Sequence, residues 1–145
     1  MAQEEKELLL KDLCARLPYK IFAQWHHKAL NKFRDVKIIK ISTYGKNIDD
    51  YFINVLCQPE PGVDYEASIV DIKPYLRPMS SMTEEECKEF RACHCVYDLH
   101  PDFQPMMCNI ANECNMFAWL DAHHFDYRGL IPKGLAIEAP KGMYN

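Results

Sequence analysis

No long apolar run opens this chain: the charged stretch Glu4-Glu5-Lys6-Glu7 leads into an uninterrupted apolar segment of only Leu8 to Leu10. That segment is too short for a secretory signal or a membrane span, which predicts a cytoplasmic protein with no membrane partner. The five glycines form no G-x-G-x-x-G or Walker loop, and H-E-x-x-H does not occur. Phosphate-cradling and zincin chemistry are thereby set aside at the level of motifs. None of the seven cysteines forms a C-x-x-C pair. An odd count without an export signal points to reduced thiols rather than a disulfide framework. There is no low-complexity tract and no repeat at a solenoid period.

What is present is the makeup of a folded chain. The sequence has 145 residues, of which 48% are hydrophobic and 26% charged. One domain of this length buries about 68 to 70% of the surface its unfolded chain exposes, so neither metal nor disulfide is required for folding. The expected fold is a single α+β domain over residues 1–145: an N-terminal helix, an antiparallel meander of about four strands, two C-terminal helices and an irregular tail.

Leu9, Leu10, Leu13, Cys14 and Leu17 recur at helical spacing over residues 3–16, and Pro18 ends the pattern. Runs over 19–25, 36–44, 51–57 and 65–72 are apolar, β-branched or aromatic and read as strands. Gly45-Lys46-Asn47 and Pro59-Glu60-Pro61-Gly62 supply tight connections, which makes a meander the simplest topology. In the longer link from His26 to Asp35, the spacing of Ala29, Leu30 and Phe33 leaves room for a helical turn.

Thr83 and Glu86 form a capping box, predicting a helix that starts at Glu84 with its acidic triplet on the positive end of the dipole. Pro105 suits the first position of another helix, along which Met107, Ile110, Ala111, Cys114, Phe117 and Ala118 repeat on one face and read as core. Buried there, Phe117 would cost about 3 to 5 kcal/mol on truncation to alanine, against about 1 kcal/mol for the Thr83 cap. The glycines and prolines after residue 128 predict a mostly irregular tail, with a short strand over 135–137 and apolar residues pinning it to the body.

Cys87, Cys93, His94, Cys95, His100, Cys108, Cys114, His123 and His124 concentrate zinc-type ligands in the second half, with Cys93, Cys95, His100, His123 and His124 as the metal candidates. The spacing is not that of a standard zinc knuckle, and buried reduced thiols are the simpler account. Cys93 or Cys95 with His100, His123 or His124 also supplies the parts of a nucleophile and base, with Asp121 or Asp126 to orient a histidine. No elbow or signature arranges them. His123 and His124 have an alternative reading as cations at a helix C-terminus. Asp126-Tyr127-Arg128-Gly129 reads as a cap and turn in which Arg128 pairs with a carboxylate or a terminal carbonyl.

Charge is polarised along the chain. Residues 19–46 carry seven basic side chains against Asp35 alone, a net +6 within a protein of net −4. Interleaved with Tyr19, Phe22, Trp25, Phe33 and Tyr44, these cations suggest a nucleic-acid platform using Lys37, Lys40 and Lys46. The competing reading is the solvated face of a half-buried sheet with its aromatics turned inward.

Three stretches carry a resemblance. They are Leu8-Leu9-Leu10-Lys11-Asp12-Leu13-Cys14-Ala15-Arg16-Leu17-Pro18-Tyr19, Tyr75-Leu76-Arg77-Pro78-Met79-Ser80-Ser81-Met82-Thr83-Glu84-Glu85-Glu86, and His123-His124-Phe125-Asp126-Tyr127-Arg128-Gly129-Leu130-Ile131 with its continuation Gly134-Leu135-Ala136-Ile137-Glu138-Ala139-Pro140. Together they resemble a family of small proteins of gut-bacterial phages, prophages and mobile elements that has no established activity. The resemblance implies an accessory protein of such an element. With no recognised active-site arrangement, the expectation is a noncatalytic protein without a cofactor that acts by binding another macromolecule, a protein partner first and a second copy of the chain as one candidate. A nucleic-acid module over 19–46 and a Cys/His enzyme or structural zinc protein are the alternatives.

Overall fold

Helix α1 spans Gln3–Arg16, the interval predicted from its leucines, in a computed structural model that describes residues 1–44, 52–93 and 116–144. The Ala2 amide donates to the Glu5 carboxylate at 2.9 Å and closes the first turn. The buried face differs from the expected stripe. Leu9 and Leu13 are fully buried, but Cys14 is exposed, and the remaining buried positions are Asp12 and Arg16.

The strands are β1 (Phe22–His27), β2 (Lys32–Tyr44), β3 (Phe52–Glu60), β4 (Val63–Ser68), β5 (Ile72–Leu76) and β6 (Ile137–Glu138). They form a six-stranded sheet in the order β4-β3-β2-β1-β5-β6. The first four make the expected antiparallel meander, and a 3-10 turn, Lys28–Leu30, occupies the β1–β2 link. One strand, β5, was not expected, and β6 falls where a short strand was read over 135–137. The run over 65–72 breaks at a 3-10 turn, Ile69–Asp71, and β5 then pairs antiparallel with the far side of β1. The two-residue β6 joins β5 in parallel.

That break curls the sheet. A flat sheet would place β4 and β5 four strand spacings apart, about 19 Å, whereas the chain from Ser68 to Ile72 reaches at most about 14 Å. The strands therefore wrap around a core of Ala23, Trp25, Val36, Ile38, Val55, Cys57, Ala67 and Ile72, closed by Leu9, Leu13, Leu130 and Leu135. Strand β2 turns the corner at a bulge, where its register against β3 shifts between Ile38 and Lys40. The β3–β4 turn narrows to Pro61-Gly62, where Gly62 takes φ +83°, a conformation that favours glycine.

Helix α2 spans Glu84–Ala92, and its capping box forms as predicted: Thr83 Oγ1 accepts from the Glu86 amide, and Glu86 accepts from the Thr83 amide, both at 3.2 Å. Arg77, just past β5, grips the Glu86 carboxylate with two hydrogen bonds of 2.7 and 2.8 Å. Residues 116–122 are helical and are termed α3. Most of the stripe predicted from Pro105 lies outside the described residues. At its end the prediction is corrected: Phe117 is 46% exposed and Ala118 is exposed, while Leu120 turns inward. Phe117 instead lays its ring 5.2 Å from that of Tyr127. Its truncation to alanine is accordingly expected to cost about 0.5 to 1.5 kcal/mol, similar to the roughly 1 kcal/mol of Thr83→Ala. Urea unfolding of both variants checks this; a loss above 3 kcal/mol at Phe117 would restore a buried role.

Beyond α3 the tail is irregular apart from β6, as expected, and Leu130, Leu135 and Ala136 bury it. No helix among the described residues is long and apolar enough to cross a membrane.

Candidate functional site

Two features concentrate chemistry: a buried ionic cluster between α1 and the tail, and the exposed end of the β1–β2 hairpin. The first begins with the i,i+4 spacing of Asp12 and Arg16, which stacks them on one helix face. Arg16 donates from Nε to Asp12 Oδ2 at 2.9 Å, and from Nη2 to Asp12 Oδ1 at 3.0 Å and to the Phe125 carbonyl at 2.6 Å. Arg128 donates from Nη1 to Asp12 Oδ1 at 2.7 Å and to Asp121 Oδ1 at 3.3 Å. The Tyr127 hydroxyl adds a bond to Asp121 at 2.9 Å. Burial, with that bond to a carboxylate, raises the Tyr127 phenol well above its ordinary range. Two arginines thus meet two aspartates with charges balanced. Pairing of Arg128 with a carboxylate follows from the sequence pattern; its partner across 116 residues does not.

This network accounts for the two aspartates considered as histidine orienters. Asp121 serves Tyr127 and Arg128, and Asp126 accepts from the Leu130 and Ile131 amides, both at 2.8 Å. Asp126 therefore caps the turn in which Gly129 adopts φ +72°, as the cap-and-turn pattern predicts.

The histidine pair divides. His123 stays at the C-terminal end of α3, with Nδ1 2.8 Å from the Trp119 carbonyl and its ring stacked on the Trp119 ring. His124 does not. With φ +62° it turns inward, is 5% exposed, and stacks on Tyr144 at 3.7 Å. Burial, reinforced by Arg16, lowers its pKa to about 4, so it is a neutral core residue and not a cation on the dipole.

Cys95 and His100 lie outside the described residues, as do His94, Cys108 and Cys114. The Cys93 thiol donates to the Glu89 carbonyl at 3.5 Å, and His123 Nε2 is 4.0 Å from Glu89. Among the described residues no group of three or more Cys, His, Asp or Glu side chains is placed to hold a metal. Burial pushes the Cys57 thiol up to about 11, far from nucleophilic readiness.

The second feature is the hairpin end. Register places His26 opposite Phe33, Gln24 opposite Asp35 and Phe22 opposite Lys37, a row on the outer face. The intervening row, Trp25 with Arg34 and Ala23 with Val36, lies on the core side. The aromatics are therefore split. Trp25 is buried, within 4.9 Å of the His27 ring and 5.4 Å of Tyr65. Phe33 is 62% exposed and stacks on His26 at 4.6 Å, beside a depression of about 240 Å³ that Gln24 and Lys73 also line. Leu30, at the turn, is 54% exposed. The bulge has a further effect: Lys37 and Lys40, three residues apart, would face opposite ways in a regular strand, yet pair with Gln58 and Leu56 so that both lie on the outer face. Lys46 lies outside the described residues.

No protein-family model, no curated protein and no solved structure matches this chain.

Proposed function

We propose that the protein is a small noncatalytic accessory protein of a phage or mobile element, acting by binding another macromolecule through the β1–β2 hairpin end. The observation that carries this reading is the placement at one end of the sheet of Leu30 and Phe33, the two most exposed large hydrophobic side chains among the described residues. Ordered apolar side chains displayed together with cations are suited to a partner surface. The internal commitments of Asp12, Asp121, Asp126 and His124 support it, because these groups of catalytic type are used in joining the tail to α1 and in folding the tail on itself. The phage association rests on the resemblance of the three sequence stretches.

Leu30→Ser with Phe33→Ala is expected to abolish capture of the partner in affinity pull-downs from source cells, made with and without nuclease. The fold should shift by no more than about 0.5 kcal/mol in urea unfolding, as for surface substitutions generally. Undiminished capture by the folded double variant would remove the hairpin end from the function. Turnover of a substrate, lost on active-site substitution without unfolding, would remove the noncatalytic reading.

A further inference from the structure

The hairpin end carries an electrostatic asymmetry that names a class of partner. Lys32, Arg34, Lys37 and Lys40 form no ion pair among the described residues. Asp35 is the one carboxylate within residues 22–44 and accepts from the Tyr75 hydroxyl at 2.7 Å; Asp71 pairs with Lys28 at 2.9 Å, and Asp64 and Glu66 lie two strands away on β4. Local positive charge therefore persists at this end of a chain whose overall charge is −4.

Rings are distributed to match. On the outer face, Phe33 is backed by His26 on one side and stands 62% exposed, with Lys37 and Lys40 further along the same strand. From Phe33 to Lys40 this row runs roughly 20 Å. On the other face Arg34 emerges opposite Trp25, and Tyr65, 40% exposed, lies against that tryptophan. A stacking surface next to unpaired cations is what a strand of unpaired bases and phosphates requires. A duplex would offer its phosphates but keep its base faces hidden.

Resting on the hairpin end as the binding surface, we propose that its ligand is single-stranded nucleic acid, with a base stacked on Phe33 and phosphates along Lys37 and Lys40 on the same face, Lys32 and Arg34 adding positive potential from the other side of the strand. The footprint is on the order of four nucleotides, and recognition is sequence-tolerant because every base has a face to stack. This choice differs from the protein partner expected from the sequence. What moves it is the exposure of Phe33 and the pairing of Asp71 with Lys28, neither of which is visible in composition.

Fluorescence anisotropy of the full chain with labelled oligothymidylate and oligouridylate of about 20 nucleotides tests it. Affinity should fall roughly 7- to 20-fold between 50 and 200 mM salt if two or three phosphates are neutralised. Phe33→Ala should weaken binding roughly 5- to 150-fold at constant salt with little change in the salt slope. Lys37→Glu with Lys40→Glu should weaken it and flatten that slope. Circular dichroism on each variant confirms folding. No binding of either oligonucleotide by the wild type, or binding that both variants retain, overturns the proposal. If no oligonucleotide binds but a nuclease-resistant protein is captured and lost in Phe33→Ala, the hairpin end stands as the contact surface and the nucleic-acid assignment is wrong.

Discussion

Arg16→Met is expected to destabilise the protein by about 3 to 5 kcal/mol, a large share of the 5 to 15 kcal/mol typical of a domain. The guanidinium is fully buried and makes three hydrogen bonds, two to Asp12 and one to the Phe125 carbonyl. Methionine approximates its aliphatic stem, so the loss is electrostatic rather than a cavity. Asp12 keeps one bond from Arg128, while the Phe125 carbonyl loses that donor in the interior. Arg128→Met should cost less, about 1 to 3 kcal/mol, because its guanidinium side chain is 15% exposed and Asp12 would keep both bonds from Arg16. Urea unfolding of the two variants gives the ranking. The Asp12→Leu, Arg16→Met double variant should cost clearly less than the two single losses added together, since removing both charges leaves neither stranded. A loss under 1 kcal/mol for Arg16→Met would mean that the cluster does not hold α1 to the tail.

Elements with local codes were legible in the sequence. Helix α1 follows from leucine spacing and a proline stop, and α2 starts where Thr83 and Glu86 form their capping box. The meander follows from apolar runs separated by turn residues. What could not be read depends on closure in three dimensions. The alternation of Tyr65, Ala67 and Ile69 slips at Val70-Asp71, but that slip does not show that the chain makes a 3-10 turn there and crosses to the far side of β1. The same limit governs the sites. Asp12 and Arg16 look like an ordinary exposed ion pair on a helix until Arg128 and Asp121 arrive from the other end of the chain. The basic segment was visible as composition. Its division into a buried Trp25 and an exposed Phe33, and the bulge that brings Lys37 and Lys40 to one face, depend on strand register.

His124 should make the protein acid-sensitive well above the usual carboxylate range. Its imidazole is buried and stacked on Tyr144, and Nδ1 has no hydrogen-bond partner among the described residues. Protonation would place an N–H without an acceptor in the interior near Arg16, so the folded pKa drops from the ordinary 6.5 to about 4. The unfolded chain takes up a proton below pH 6.5 and the folded chain does not until about pH 4. Stability from this group is full above pH 6.5 and is lost as pH falls toward 4, by up to about 3 kcal/mol. Glu86, held at about 2 by its hydrogen bonds from Arg77 against an ordinary 4.5, contributes a second loss only further into acid. Urea unfolding at pH 7, 5.5 and 4.5 should therefore show a decline of about 2 to 3 kcal/mol across the histidine window. In His124→Asn that decline should shrink by most of this amount, because asparagine tolerates the left-handed backbone and does not titrate. An equally steep decline in the variant would place the acid sensitivity elsewhere.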